Sequence, residues 1–115
     1  MVNFKSTTTT KKASLHDTIM PLLDAMYNEF KELSKKKPDT AISKSKITIA
    51  NRLISKVLVI LSDEESISFL DLLDEEEVPQ ASDVTLIFSQ HVAAMKAFRS
   101  KYFGWNGSDH DWITK

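Results

Sequence analysis

Apolar residues recur at steps of three and four over most of this chain, and the recurrence breaks at three places. From Ser14 onward, Leu15, Ile19, Leu22, Met26, Phe30 and Leu33 fall on one side of a helix. Ser14 with Asp17 three residues later has the form of a capping box and marks its start. Pro21 conflicts with this helix: it kinks it there, or belongs to the first turn of a helix that starts near Thr18. Lys35, Lys36 and Lys37 at the negative end of the helix dipole, followed by Pro38, mark the end.

A second helix is expected over residues 40–61. It carries two adjacent stripes, Ile49–Leu53–Val57–Ile60 and Ile47–Ala50–Ile54–Leu58–Leu61, with Thr48, Asn51, Arg52 and Ser55 as a narrow polar strip. A helix apolar over more than half its circumference belongs at the centre of a bundle. Ser62 with Glu65 has the form of another capping box and opens a short third helix over 65–76, with Ile67, Leu70 and Leu73 on one side and Phe69 and Leu72 beside them. Pro79 breaks the chain. A last helix starts with Ser82 or Asp83 as its cap. In it Val84, Phe88, His91, Met95, Phe98 and Tyr102 form a heptad-like seam, and Gly104 is the expected stop.

Residues 1–13, with the run KSTTTTKK, read as a disordered arm, and residues 105–115 as a polar tail with two exposed tryptophans. The expected fold is therefore all-α: a small bundle of three long helices plus one short acidic helix, occupying residues 14–104 and arranged around the second helix. The seam of the last helix predicts self-pairing, a homodimer with His91 near the middle of the contact.

Composition narrows the chemistry. A chain of 115 residues is one domain by length, and 42% apolar with 27% charged residues suits a soluble fold with a single core. The formal net charge of −1 argues against binding nucleic acid by overall charge, and equally against mimicry of DNA. With no cysteine, disulfides, thiolate metal sites and cysteine nucleophiles are excluded. Only Gly104 and Gly107 occur, so phosphate-cradling and dinucleotide-binding loops are excluded. The N-terminal stretch has no apolar region of signal-peptide type, and the longest apolar run, Val57–Leu61, is too short to span a membrane. The expected location is the cytoplasm.

Candidate sites fare unequally. A calcium loop starting at Asp63 places Ile67 and Ser68 where a ligand and a glycine are needed, and one starting at Asp71 places Leu73 at a ligand position. Asp109, His110 and Asp111 read as a solvated tail, and Asp24 lacks the Glu-x-x-His partner of di-iron bundles. The triplet Glu29-Phe30-Lys31 matches a nuclease pattern that belongs on a strand, whereas here it falls in a helix. His91 reads as a buried neutral imidazole bonded to a backbone carbonyl or a tyrosine, in preference to a catalytic or pH-sensing group. No cofactor and no metal are expected, and no catalytic residues are assigned.

Two charged regions remain. Residues 63–83 hold nine carboxylates and no basic residue, interleaved with Ile67, Phe69, Leu70, Leu72 and Leu73. Glu75, Glu76 and Glu77 would stand at a helix C-terminus, where the dipole disfavours them, so something other than helix stability places them there. Phe69, Leu72, Asp74, Glu75, Glu76 and Glu77 are accordingly the expected partner-binding residues. Lys35, Lys36, Lys37, Lys44, Lys46 and Arg52 gather around the first inter-helix turn. They either pair with the acidic segment, within one chain or across a dimer, or touch nucleic acid. The functional expectation is a non-enzymatic protein acting by protein–protein contact: an adaptor, an antitoxin- or immunity-type inhibitor, or an accessory subunit. The alternative is a nucleic-acid-binding accessory protein using the basic region 31–56.

Overall fold

The computed structural model describes residues 6–115, and the first five positions of the expected arm lie outside the described residues. Three helices, α1 (Thr10–Lys36), α2 (Lys44–Ile60) and α3 (Ala81–Tyr102), make up most of the chain. A 3-10 turn, Glu65–Phe69, and a two-stranded sheet, β1 (Phe103–Trp105) and β2 (His110–Trp112), complete it. The chain is mostly helical, as the apolar periods require.

Helix α1 begins four positions before Ser14. The Thr9 hydroxyl accepts from the Lys12 amide at 3.1 Å and caps it, so residues 10–13 of the expected arm are helical. Ser14 is interior, and its carbonyl accepts from the Thr18 hydroxyl. Pro21 stands inside the helix at an exposed position, and Asp17, whose carbonyl it leaves without the usual helix donor, is exposed as well. The buried face is Ala13, His16, Ile19, Leu23 and Phe30. Leu22, expected in the apolar stripe, is 53% exposed, whereas Leu23 is fully buried. The face turns toward Leu23 because α1 packs against two neighbours, α3 and α2.

Helix α1 is the hub, and α2 is not. α2 starts at Lys44, capped by Ser43, later than expected. It buries Ile47, Ala50, Ile54, Val57 and Ile60, but Ile49 and Val59 remain half exposed. Both α2 and α3 run antiparallel to α1. The Lys12 ammonium near the start of α1 reaches Ser62 and Asp63 beyond the end of α2. The Thr85 hydroxyl near the start of α3 donates to the Phe30 carbonyl near the end of α1. α2 and α3 are therefore parallel, and residues 61–80 return the chain along the length of the molecule. The fold is long and narrow, 54 × 24 × 21 Å, with a radius of gyration of 16.0 Å, against about 13 Å for a compact chain of this size.

Four other expectations change. The short acidic helix 65–76 is only the 3-10 turn 65–69, and Leu70 onward is extended. The Ser62–Glu65 box does not form; the Ser62 hydroxyl accepts from Lys12 instead. α3 is preceded by Gln80, without a side-chain cap, not by Ser82 or Asp83. Its seam (Val84, Phe88, His91, Met95, Phe98, Tyr102) is buried within the one chain, so the surface that suggested self-pairing is already covered.

The expected polar tail is a hairpin. Phe103 pairs with Trp112 and Trp105 with His110, and Phe103, already extended, ends α3 ahead of Gly104. The Asn106 side chain accepts from the Ser108 and Asp109 amides, and Gly107 takes a φ of +103°, which disfavours side chains. Trp105 is exposed, but Trp112 lies half-buried on Phe98, Phe103 and His16 and donates its indole N–H to Asp17 at 3.0 Å. Beyond β2, Ile113 and Lys115 exchange backbone hydrogen bonds with Thr8.

Leu23→Ala should cost about 2–5 kcal/mol, and Leu22→Ser should stay within about 0.5 kcal/mol, in urea unfolding. Ile54→Asp should abolish the cooperative transition, because an unpaired charge at a fully buried position costs as much as the whole fold gains.

Candidate functional site

Residues 61–80, the connector, carry the candidate contact residues. The connector runs antiparallel to α2, from its end at Ile60 back to Ala41 and Ile42 before its start. There the Ile42 amide donates to the Pro79 carbonyl at 2.9 Å, and Ala41 bridges Gln80. Between these points the extended backbone lacks a helix's own hydrogen bonds, so side chains supply them. The Asn51 amide closes a two-bond clamp on Leu73: Nδ2 donates to its carbonyl and Oδ1 accepts from its amide, each at 2.8 Å. His91 Nε2 lies 3.1 Å from the Asp71 carbonyl. Leu70 and Leu73 point into the core.

Held at these points, the connector turns the alternate side chains outward. Phe69 is 77% exposed, Leu72 48% and Val78 63%. Asp74, Glu75, Glu76 and Glu77 are exposed, and the Asp74 carboxylate accepts from the Glu76 and Glu77 amides, folding the acidic run into a tight turn. All six expected contact residues thus lie on one fixed segment. Leu72, Asp74, Glu75 and Glu76 share an open groove of about 600 Å³ with Thr48, Asn51, Arg52 and Ser55 of α2. Phe69 stands apart from this groove, earlier in the connector at the end of the 3-10 turn.

Six of the connector's eight carboxylates fall into two sets. Asp63 pairs with Lys12 at 2.8 Å, and this ammonium lowers its pKa from the ordinary value. Glu64 accepts from the Tyr102 hydroxyl at 2.8 Å and pairs with Lys101 at 3.2 Å. Burial, and then the Glu64 contact, raise the Tyr102 pKa. These two acids join the connector to α1 and α3. Asp74, Glu75, Glu76 and Glu77 make no ion pair among the described residues.

The basic residues are not all brought together. Lys35, Lys36, Lys37, Lys44 and Lys46 surround the α1–α2 turn and are exposed. Lys35 pairs with Glu32 and not with the connector. Arg52 lies apart from them, in the groove beside Leu72 and the acids. The pairing expected between Lys35–Lys37 and the acidic segment within one chain is absent among the described ion pairs, because the connector's acidic turn sits midway along α2 and not at its start.

Two histidines are buried. A carbonyl only accepts, so Nε2 carries the proton in both and donates, in His91 to Asp71 and in His16 to Met95 at 2.8 Å. Each Nδ1 is a buried acceptor with no partner among the described residues. His91 is the core histidine that the sequence suggested, with the added role of tethering the connector. His16 escaped notice because a polar residue was left out of the apolar count. Counted in, it stands three residues before Ile19 and seven before Leu23, on the buried face. Its ring stacks on Phe98 at 5.7 Å and meets Trp112 edge-on at 5.0 Å. Burial lowers both pKa values below the ordinary 6.5, against the opposing pull of the two carbonyls.

Among the described residues no three His, Asp or Glu side chains converge as metal ligands, and no helix is long and apolar enough to cross a membrane.

Asn51→Ala should destabilise the fold by about 1–3 kcal/mol, since it strips the Leu73 amide and carbonyl of their partners. Limited proteolysis should then cut first within residues 70–78. The histidines set a pH dependence. The unfolded chain binds protons near pH 6.5 that the fold refuses, so stability is full above that value and declines as the pH falls from 6.5 toward the lowered pKa values. Urea midpoints should fall between about pH 7.5 and about pH 5, and less steeply in His16→Gln and His91→Gln. Comparison of the chain with protein-family models, with curated proteins and with solved structures finds no match in any of the three.

Proposed function

We propose that this chain is a cytoplasmic binding protein, not an enzyme, and that it acts by protein–protein contact through the outer edge of the connector. One observation carries the reading: a segment without regular structure is clamped at Asp71 and Leu73 and presents Leu72 to solvent beside carboxylates that make no ion pair among the described residues, with Phe69 exposed at the end of the 3-10 turn before it. Fixing a segment in advance lowers the entropy lost on binding. Large apolar anchors with a charged surround give a contact both energy and selectivity. A partner matched to this edge presents apolar pockets flanked by lysine or arginine. Roles of this kind include an adaptor, an antitoxin- or immunity-type inhibitor, and an accessory subunit.

The second reading, nucleic-acid binding, draws on the five lysines around the α1–α2 turn. Lys44 and Lys46 stand in the first turn of α2, where the positive end of the dipole disfavours them, so helix stability does not account for them. Arg52 takes no part in that cluster, and the smaller patch weakens this alternative.

Two variants test the leading reading, Phe69→Ser with Leu72→Ser, and Glu75, Glu76 and Glu77→Ser with Asp74 kept for its turn. Each should lose the proteins that the wild type retains from its native cells, with retention by the wild type falling as salt rises. Thermal melts should change little, because these side chains are exposed. Full retention by both variants would overturn the reading. Salt-dependent retention on DNA, lost when Lys35, Lys36, Lys37, Lys44 and Lys46 become Gln, would favour the alternative.

A further inference from the structure

The connector and α2 lie side by side across a groove, and each carries a row of exposed residues. In the α2 row, Ile49, Arg52, Lys56 and Val59 recur at steps of three and four and so share a side of the helix; all are exposed. In the connector row, Phe69, Leu72 and Val78 project outward, with Asp74, Glu75 and Glu76 between Leu72 and Val78. The groove that holds Arg52 with Leu72, Asp74, Glu75 and Glu76 joins the two rows. Of the eight large apolar side chains exposed among the described residues, five are on these rows: Ile49, Val59, Phe69, Leu72 and Val78. That is a concentration, not a scatter.

The rows carry opposite charge. Arg52 and Lys56 make no ion pair among the described residues, and neither do Asp74, Glu75 and Glu76. A face with an unpaired basic row beside an unpaired acidic row is complementary to itself. About a twofold axis, the basic row of one copy meets the acidic row of the other, and the same contact is made twice. The apolar residues of the two rows supply the dry area. The net charge of −1 sets little overall repulsion against the approach of two copies.

We infer that a second copy of this chain covers the α2–connector face. The inference rests on reading the connector as a contact surface, and it names the occupant. It also moves the homodimer contact from α3, whose seam is buried inside the chain, to the opposite charge rows. Helix α2 is about 25 Å long, so the face is at the small end of stable interfaces.

Charge reversal tests it. Sedimentation equilibrium of the wild type up to about 500 µM should show a dimer that weakens as salt is raised. Arg52→Glu with Lys56→Glu sets acid against acid, and Glu75→Lys with Glu76→Lys sets base against base. Each variant alone should associate at least tenfold more weakly. Mixed in equal amounts they should recover a dimer of near wild-type affinity, because both contacts are restored with their signs exchanged. Melts check that both variants fold. A wild type that stays monomeric overturns the inference and leaves the capture of other proteins by the connector untouched. Two variants that dimerise as well as wild type, or a mixture that stays monomeric, overturn it equally.

Discussion

The return of the chain between two parallel helices is the constraint on which this structure depends. Both α2 and α3 lie antiparallel to α1, so the chain leaving α2 must travel back along the molecule before α3 begins. In a four-helix bundle a helix makes that journey. Here a 3-10 turn and an extended segment make it, and they occupy the place of the missing helix: Leu70 and Leu73 fill the core there, beside residues of α2 and α3. The elongated form follows, since α1 is about 40 Å long and its partners run beside it.

An extended segment laid on a core leaves backbone groups that water does not reach. The fold answers with side chains from both neighbouring helices, Asn51 of α2 on Leu73 and His91 of α3 on Asp71. Burial is what favours the neutral form of His91, and the Asp71 carbonyl to which its ring donates pulls the other way. His16 repeats the arrangement on α1, with the Met95 carbonyl of α3, and its ring is the floor on which Trp112 of the hairpin rests. These polar contacts tie together elements far apart in the chain, and burial favours the neutral ring in the two made by histidine.

The same return path sorts the carboxylates. Asp63 and Glu64, next to the end of α2, meet Lys12, Lys101 and Tyr102 and are taken up in holding that end of the molecule together. Those from Asp74 to Glu77 fall on the outward turn of the connector, where no cation of the described chain pairs with them. What distinguishes a structural acid from an available one is its position along the connector, not its residue type. Arg52 and Lys56, on the outward side of α2, likewise make no ion pair among the described residues.

The helical segments were legible in the sequence because a helix buries side chains at fixed local steps: the runs through Phe30, Ile54 and Phe88 announce themselves without knowledge of what they pack against. Burial of His91 was legible for the same reason, as was a break at Pro38. The outward Phe69 and Leu72 are suggested by their places beside, and not on, the side formed by Ile67, Leu70 and Leu73. The extended course from Leu70, the partner of the α3 seam and the seat of Trp112 were not legible. Each is decided by groups distant in the chain: Asn51 supplies hydrogen bonds that residues 70–74 would otherwise make among themselves, α1 takes the seam, and His16 and Asp17 receive Trp112. Local spacing determines which residues can share a face. Only the tertiary arrangement decides which face meets which, because an apolar side chain gains the same burial against any surface that fits it.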